Sequence, residues 1–353
     1  MKHNSNLPAL ACDRMAQLIA GLTDECILRV RRGRNWWEGS SRVLMASTID
    51  APATHAFRTA SITKTFTATL IFLLVEDGAL ALDDSLSTHL PTEICESIHV
   101  LEGTAYGPNI TIAQLLRHRS GIFDYATAPQ FYEHVFNAPS RKWSAMELLA
   151  EAIRGGNPYF RPNEGVAYSD TGYVLLAMII ETVTGLPLAA AYRNRLLNPL
   201  SLQHTFLEGL EPSVDWPVSH AFDGTIDTAC FDPSFDTCGG GGLVSTAADL
   251  DHFMSSLLAG SVFTKQGTLS VMMEGTDSPD GVGTRKTRTA AGLSKFSIVD
   301  HIFWGHLGHW NSFMLHAVDQ DISICGTFNQ AKDHPWQRHV LEAAATEALS
   351  WDQ

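Results

Sequence analysis

Apolar and polar positions change their spacing several times along this chain, and each change marks an element. Pro8 to Leu22 carry a helical repeat, and Cys26 to Gly33 and Arg34 to Leu44 read as two strands about a turn at Arg32-Gly33. From Phe66 to Val75 the chain is apolar on nearly every side, with a polar start at Thr59 and Ser61 and with Gly78 beyond the end. That pattern predicts a helix buried in the middle of a domain, a rigid mount for whatever its ends carry.

Beyond Gly78 the segments read as helices or loops, with no strand expected before Pro199. Leu200 to Cys238 is irregular, rich in Pro, Asp and aromatic residues, and supports no assignment. Four glycines, Gly239 to Gly242, then lead into a helix capped by Ser245 or Thr246. Strands are expected at Ala290–Val299, His301–Gly308, Ser312–Val318 and Ile322–Phe328, the last two joined at Asp319-Gln320-Asp321. Short connections make them antiparallel neighbours, and a final helix from Pro335 to Trp351 joins the first in covering one sheet face. The expected fold class is α/β: a sandwich of helices around a central antiparallel sheet, built from residues 1–78 and 239–353, with a mostly helical lobe inserted at 79–238.

Composition narrows the function classes. A chain of 353 residues exceeds the size at which one hydrophobic core stops growing, and 45% hydrophobic residues suffice to fill two lobes. The net charge of −14 disfavours nucleic acid and anionic membrane surfaces as partners and leaves a small-molecule substrate. Arg29, Arg31, Arg32 and Arg34 form the one basic run, expected on a solvated strand face. The start of the chain lacks an export signal, no stretch is long enough to span a bilayer, and the six cysteines have neither paired nor metal-type spacing. These features point to a soluble cytoplasmic protein with reduced thiols.

Ser61-Ile62-Thr63-Lys64 is the only Ser-x-x-Lys of the chain. Residues three apart on a helix share a face, so a hydroxyl, an amine and the positive end of a helix meet there. On its own the tetrad also reads as a cap and a solvated charge, but a lysine opening so apolar a helix argues otherwise. Two further stretches belong with it: Tyr168-Ser169-Asp170-Thr171-Gly172-Tyr173, in a loop before a helix, and Gly305-His306-Leu307-Gly308-His309, on a late strand. Without a family context Tyr168 also reads as a core aromatic. Strand alternation would put His306 and Gly308 on one face and Leu307 and His309 on the other, which argues against a metal site. The four glycines lack the following Gly-Lys-Ser/Thr of a phosphate loop, and no cofactor is expected.

In that order, FRTASITKTFTATLIFLLVEDGALALDD, LLRHRSGIFDY, YSDTGYVLLAMIIETVTG and GGGGLVSTAADL resemble the serine β-lactamase and penicillin-binding-protein superfamily. The resemblance is to the branch of class C β-lactamases, DD-peptidases, D-aminopeptidases and esterases. It implies that Ser61 is an acylated nucleophile, that Lys64 and Tyr168 share its deprotonation, and that the backbone N–H groups of Ser61 and His309 form the oxyanion hole. Asp170, His306, Leu307 and Gly308 would line the substrate site, with His306 flanking the substrate, His309 contributing only its backbone, and Gly308 leaving the approach open. To act as a base near neutrality, Tyr168 would have to drop about three pKa units, roughly 4 kcal/mol, under the influence of Lys64.

Two departures matter. His306 stands where penicillin-recognising relatives carry Lys, which weakens the case for efficient β-lactam turnover. Asp170 stands in place of Asn, which would hold Lys64 protonated, favour Tyr168 as the base, and offer a seat for a substrate ammonium. A frame shifted by one, Ser169-Asp170-Thr171, resembles the second motif of class A enzymes. The expected function is hydrolysis of a small ester or amide, of a D-amino acid or short peptide, through acyl-Ser61. Acyl transfer by the same intermediate and a β-lactam-binding module with weak turnover are the alternatives. Phe123, Tyr125, Phe131, Tyr132, Trp216 and Phe222 suggest a largely apolar pocket.

Overall fold

The computed structural model describes residues 1–4, 7–22, 25–41, 56–212, 217–278, 287–331 and 335–351. Its largest element is a nine-stranded sheet formed by β1 (Lys2–His3), β2 (Ile27–Arg32), β3 (Asn35–Ser40), β4 (Thr276–Ser278), β5 (Thr287–Thr289), β6 (Ser294–Ile298), β7 (His301–Leu307), β8 (Phe313–Ala317) and β9 (Ile322–Thr327). Their spatial order is β1-β3-β2-β9-β8-β7-β6-β5-β4, and every neighbouring pair is antiparallel. The end of the strand expected at Arg34–Leu44 lies outside the described residues. β4 and β5 were not expected; they are short and polar, so no alternation of apolar residues announces them. Upstream of Pro199 two further short strands, Val100–Leu101 and Thr104–Ala105, pair as a hairpin in a region expected to hold none.

Alternation along the central strands assigns the two faces. Phe313, Leu315 and Ala317 of β8, with Ile322 and Ile324 of β9, meet α1 (Ala9–Ala20) and the helix Pro335–Leu349 through Met15, Ile19, Val340 and Ala344. Met314 and Cys325 face the other way, into a larger core. That core contains α2 (Thr63–Glu76), α3 (Asp170–Thr184) and α4 (Ala247–Leu258), with Phe66 of α2 stacked on Phe253 of α4 at 3.7 Å between ring centroids. Thr246 is the side chain that caps α4, accepting from the Asp249 N–H.

Helix α2 is buried from Thr63 to Phe72. Its threonines are weak helix formers, yet each is used as a hydrogen-bonding group inside the core. Thr65 Oγ1 donates to the Gly292 carbonyl at 2.7 Å, and Thr67 Oγ1 reaches the Gly239 carbonyl and the Tyr192 hydroxyl, both at 2.6 Å. Thr63 Oγ1 accepts from the Leu243 N–H at 3.2 Å. The helix is thus fixed to the Gly239–Gly242 run by directional bonds as well as by packing.

The basic run corrects one expectation. Arg29 and Arg31 are largely buried, each bonded to Asp251 of α4 at 2.9 Å, with Glu38 and Asp321 completing the network. Arg32 donates to the carbonyls of Ala348, Leu349 and Trp351, where the last helix ends. An Arg-rich strand next to a helix carrying a core-facing Asp pairs inward, which a strand reading taken in isolation cannot reveal. Among the described residues no single helix is long and apolar enough to cross a membrane, and all six cysteines are free thiols.

Burial raises the Asp251 carboxyl, but the ion pairs with Arg31 and Arg29 outweigh it and hold the group below its ordinary range. A depressed carboxylate contributes stability above its unfolded pKa and loses it as the pH falls through the folded one. Asp251→Asn, which strands two buried guanidinium groups, should lower unfolding stability by about 3–5 kcal/mol at neutral pH in urea titrations. The difference from wild type should begin to shrink below about pH 4, where the unfolded chain's carboxylate takes up a proton, and go on shrinking as the pH falls through the lower folded value.

Candidate active site

Three segments far apart in sequence converge at the buried N-terminal end of α2. Ser61 lies in a single 3-10 turn, Ala60–Ile62, that feeds directly into the helix, and Ala60 takes the strained φ of +47° that the turn requires. Lys64 is 0% exposed. Its ammonium is not a solvated charge: it donates to Ser61 Oγ at 3.1 Å, to the Gly240 carbonyl at 2.7 Å, and to Asp170 Oδ1. Three acceptors satisfy the three donors of a lysine, which is what makes so complete a burial tolerable.

Asp170 begins α3, and its own N–H donates to Asp124 Oδ1 at 3.1 Å. Tyr168, two residues earlier, lies beside Ser61, its ring 4.8 Å from the Lys64 ammonium. The structure therefore brings Ser61, Lys64, Tyr168 and Asp170 together. Ser169 does not join them: its hydroxyl is buried and without a partner among the described residues, so the tyrosine frame fits this geometry and the shifted frame does not.

Gly240 shows why part of the glycine run must lack side chains. A Cβ there would sit 2.8 Å from Asp170 Oδ1 and 3.5 Å from Lys64 Nζ, wedged into the ion pair. The run passes α2 at backbone contact distance and donates no loop to phosphate. At Gly308 a Cβ would meet Ser312 Oγ and the Thr59 carbonyl at 2.1 and 2.3 Å, so that glycine admits the neighbouring backbone rather than the substrate.

His306 lies opposite Met314 on the core-facing side of β7, buried, with its ring 6.4 Å from that of Tyr168. Its Nδ1–H donates to the Leu307 carbonyl at 2.6 Å, which leaves Nε2 as a lone-pair acceptor. Burial and the Lys64 ammonium push the imidazole down to about 4, so it is neutral at physiological pH. Leu307 ends the strand, packed on the opposite apolar layer and reaching the cavity from there. The alternation expected through His309 breaks at that point. The chain turns at Gly308, whose N–H donates to the Ser312 carbonyl at 2.8 Å, and the His309 ring lies exposed beside the cavity, stacked 6.2 Å from Tyr132. The N–H groups of Ser61 and His309 donate to no other acceptor among the described residues.

The cavity has a volume of about 670 Å³. Tyr125, Phe131 and Tyr132 line it as expected, whereas Phe123 and Phe222 do not, and Trp216 lies outside the described residues. Tyr159, Phe235, Phe296 and Trp310 supply the rest of its aromatic wall. Three residues that the sequence reading left without a role lie here: His118 and Asp236 border the cavity, and Asp124 sits behind Asp170, accepting its N–H. His118 and Asp124 belong to the LLRHRSGIFDY motif, so the signal was present without an assignment. Burial and the Asp170 charge raise the carboxyls of both Asp124 and Asp236, the latter to about 7.

Tyr168 reverses an expectation. Burial of the hydroxyl, together with the carboxylate of Asp170, holds the phenol well above its ordinary pKa, and the neighbouring Ser61 hydroxyl offsets this only in part. Lys64 spends its charge on Asp170, so the phenol gains little from it. Among the described residues no group of three or more His, Cys, Asp or Glu side chains is arranged to hold a metal ion.

The Lys64–Asp170 pair makes the tolerance of position 240 a sensitive probe. Gly240→Ala should lower the acylation rate of Ser61 by roughly a hundredfold, with the native circular-dichroism spectrum retained. The low His306 pKa gives a second expectation: any inflexion of kcat/KM near pH 7 should belong to Asp236 and be lost in Asp236→Asn, whereas His306→Gln should leave the shape of the profile unchanged.

The Beta-lactamase family matches residues 19–347. Among curated proteins, penicillin-binding protein 4* of Bacillus subtilis (strain 168) is 27% identical over 309 residues, covering 82% of this chain and 64% of its own. The chain thus spans less than two thirds of the length of that relative. Among solved structures, a D-stereospecific amidohydrolase from Streptomyces sp. is 29% identical at a TM-score of 0.81, with 94% of this chain and 98% of that one covered. D-amino acid amidase from Ochrobactrum anthropi SV3 shares the fold at a TM-score of 0.77 and 22% identity, over 96% and 99% of the two chains. With the Ser-x-x-Lys helix, the α/β sandwich and this coverage, the chain belongs to the Beta-lactamase family.

Proposed function

We propose that this enzyme hydrolyses amides or esters of amino acids, or of short peptides, that carry a free amino group, through an acyl-enzyme on Ser61. The observation that carries this reading is the make-up of the cavity wall: among the described residues Asp170 and Asp236 line it and no Lys or Arg does, the Lys64 ammonium beneath being already paired with Asp170. His306 adds an acceptor in place of a cation. Such a wall lacks a partner for a substrate carboxylate and suits a substrate ammonium. The D-stereospecific amidohydrolase and the D-amino acid amidase, by their names, favour the D series. The apolar part of the substrate would lie against Tyr132, Tyr159 and Phe296.

In this mechanism the working enzyme holds Tyr168 as a phenolate beside the Lys64 ammonium. The substrate ammonium, seated beside Asp170, offsets the carboxylate's share of what keeps the phenol protonated and adds a second cation beside it. Ser61 Oγ bonds to the carbonyl carbon as its proton passes to Tyr168, and the carbonyl oxygen becomes an oxyanion held by the N–H groups of Ser61 and His309. The oxyanion then re-forms the carbonyl, the bond to the leaving nitrogen or oxygen breaks, and Tyr168 gives that atom its proton. Water repeats the sequence on the acyl-enzyme and regenerates Ser61. Lys64 keeps its proton throughout and orients Ser61 from below. β-Lactams, whose carboxylate finds no cation at position 306, should acylate Ser61 slowly.

Intact-mass measurement after exposure to a fluorophosphonate should show one adduct, absent in Ser61→Ala; labelling elsewhere, or none, removes the nucleophile from this reading. Aminoacyl p-nitroanilides should be cleaved at least about tenfold faster than their N-acetyl counterparts, and Asp236→Asn should narrow that gap. Equal rates for both series would overturn the amine preference while leaving the nucleophile intact. For a neutral p-nitrophenyl ester, kcat/KM should rise close to tenfold per pH unit above neutrality, because the phenolate fraction grows until the raised pKa is reached.

A further inference from the structure

We propose that His118 is a positioning residue, a clamp whose ring and Nδ1 hold Tyr168 in reach of Ser61. The inference rests on the role given to Tyr168 above but comes from different contacts. Tyr168 as a whole residue is 43% exposed, so the cavity side offers it little support. On its other side the buried His118 ring stacks against it, with centroids 4.5 Å apart and planes inclined by 28°. The same imidazole lies 5.3 Å from the Tyr173 ring, whose hydroxyl donates to the Leu116 carbonyl at 3.1 Å. His118 is therefore sandwiched and cannot swing away.

Its polar atoms grip the chain on both sides of Tyr168. The His118 carbonyl accepts from the Ala167 N–H at 3.0 Å, and its Nδ1 accepts from the Ser169 N–H at 3.2 Å. A ring nitrogen that accepts from a backbone amide must be unprotonated, so this contact selects the tautomer with hydrogen on Nε2. The ring is fully buried and near the Lys64 ammonium, which agrees with a permanently neutral imidazole. The residue reaches both neighbours because it adopts φ +54°, a left-handed conformation for which histidine and asparagine are among the better-suited residues other than glycine. No other described residue bonds the backbone on both sides of Tyr168. Since a phenol displaced by about 1 Å loses much of its value as a base, the clamp controls rate without touching substrate.

Two variants divide the clamp. His118→Asn keeps the left-handed backbone and an acceptor near the Nδ1 position but removes the stacked ring; His118→Phe keeps a ring and removes the acceptor. Each should lower the rate of Ser61 acylation by a p-nitrophenyl ester about 10- to 100-fold, with KM altered less than about threefold. Labelling followed by mass spectrometry over hours keeps slow variants measurable. In a Tyr168→Phe background, neither substitution should change the rate by more than about twofold, because the group it positions is gone. Losses that multiply in that background, or wild-type rates in both single variants, would overturn the proposal. If Tyr168→Phe alone acylates at the wild-type rate, the fault lies instead with the role of Tyr168. Should both His118 variants fail to fold, 15N resonances of the wild-type histidine decide: hydrogen on Nε2 from pH 5 to 8 supports the clamp, and a protonated Nδ1 refutes it.

Discussion

A buried ammonium with its three hydrogen bonds directed at three different segments is the constraint on which the rest of this molecule depends. Lys64 cannot be desolvated without Asp170, the Gly240 carbonyl and Ser61 Oγ around it. Those acceptors lie on α3, on the glycine run and on the turn before α2, so satisfying one side chain fixes how three parts of the fold meet. The chemistry is a by-product of that satisfaction. A hydroxyl needed to complete the coordination of an ammonium is, by the same geometry, a hydroxyl placed for attack.

The sheet and its helices were largely legible because their apolar residues repeat. β2, β7, β8 and β9 carry side chains that alternate between two cores, and α2 is apolar all round; both patterns survive in the bare sequence. What stayed hidden was polar. β4 and β5 carry no hydrophobic alternation, and the inward pairing of Arg29 and Arg31 depends on Asp251, more than two hundred positions away. Spacing along a strand says which face a residue takes, but not whether that face meets water or a carboxylate.

At the site, the sequence grouped Ser61, Lys64 and Tyr168, which the fold brings together, and misjudged the electrostatics between them. Pairing Tyr168 with Lys64 suggests a lowered phenol pKa if only those two groups are considered. Asp124 and Asp236 lie 44 residues before and 68 residues after Tyr168, and only the folded chain reveals that they join Asp170 around it. Likewise, His309 was placed by extending a strand period through Gly308, where the strand has already ended. Local periodicity carries no information about where a strand stops once the next residue packs against a neighbouring segment.

The distances along the chain between the parts of this cleft have a consequence for how it comes into being. Residues 61, 118, 168, 240 and 306 can meet only after long stretches of backbone have been closed into loops, an entropic toll levied before any contact rewards it. Catalytic competence is then among the last properties acquired on refolding, later than helix content, and the helix that bears Ser61 spends the interval as an exposed greasy segment. Newly made chains face their greatest danger of clumping in that interval, before the ammonium has found its acceptors.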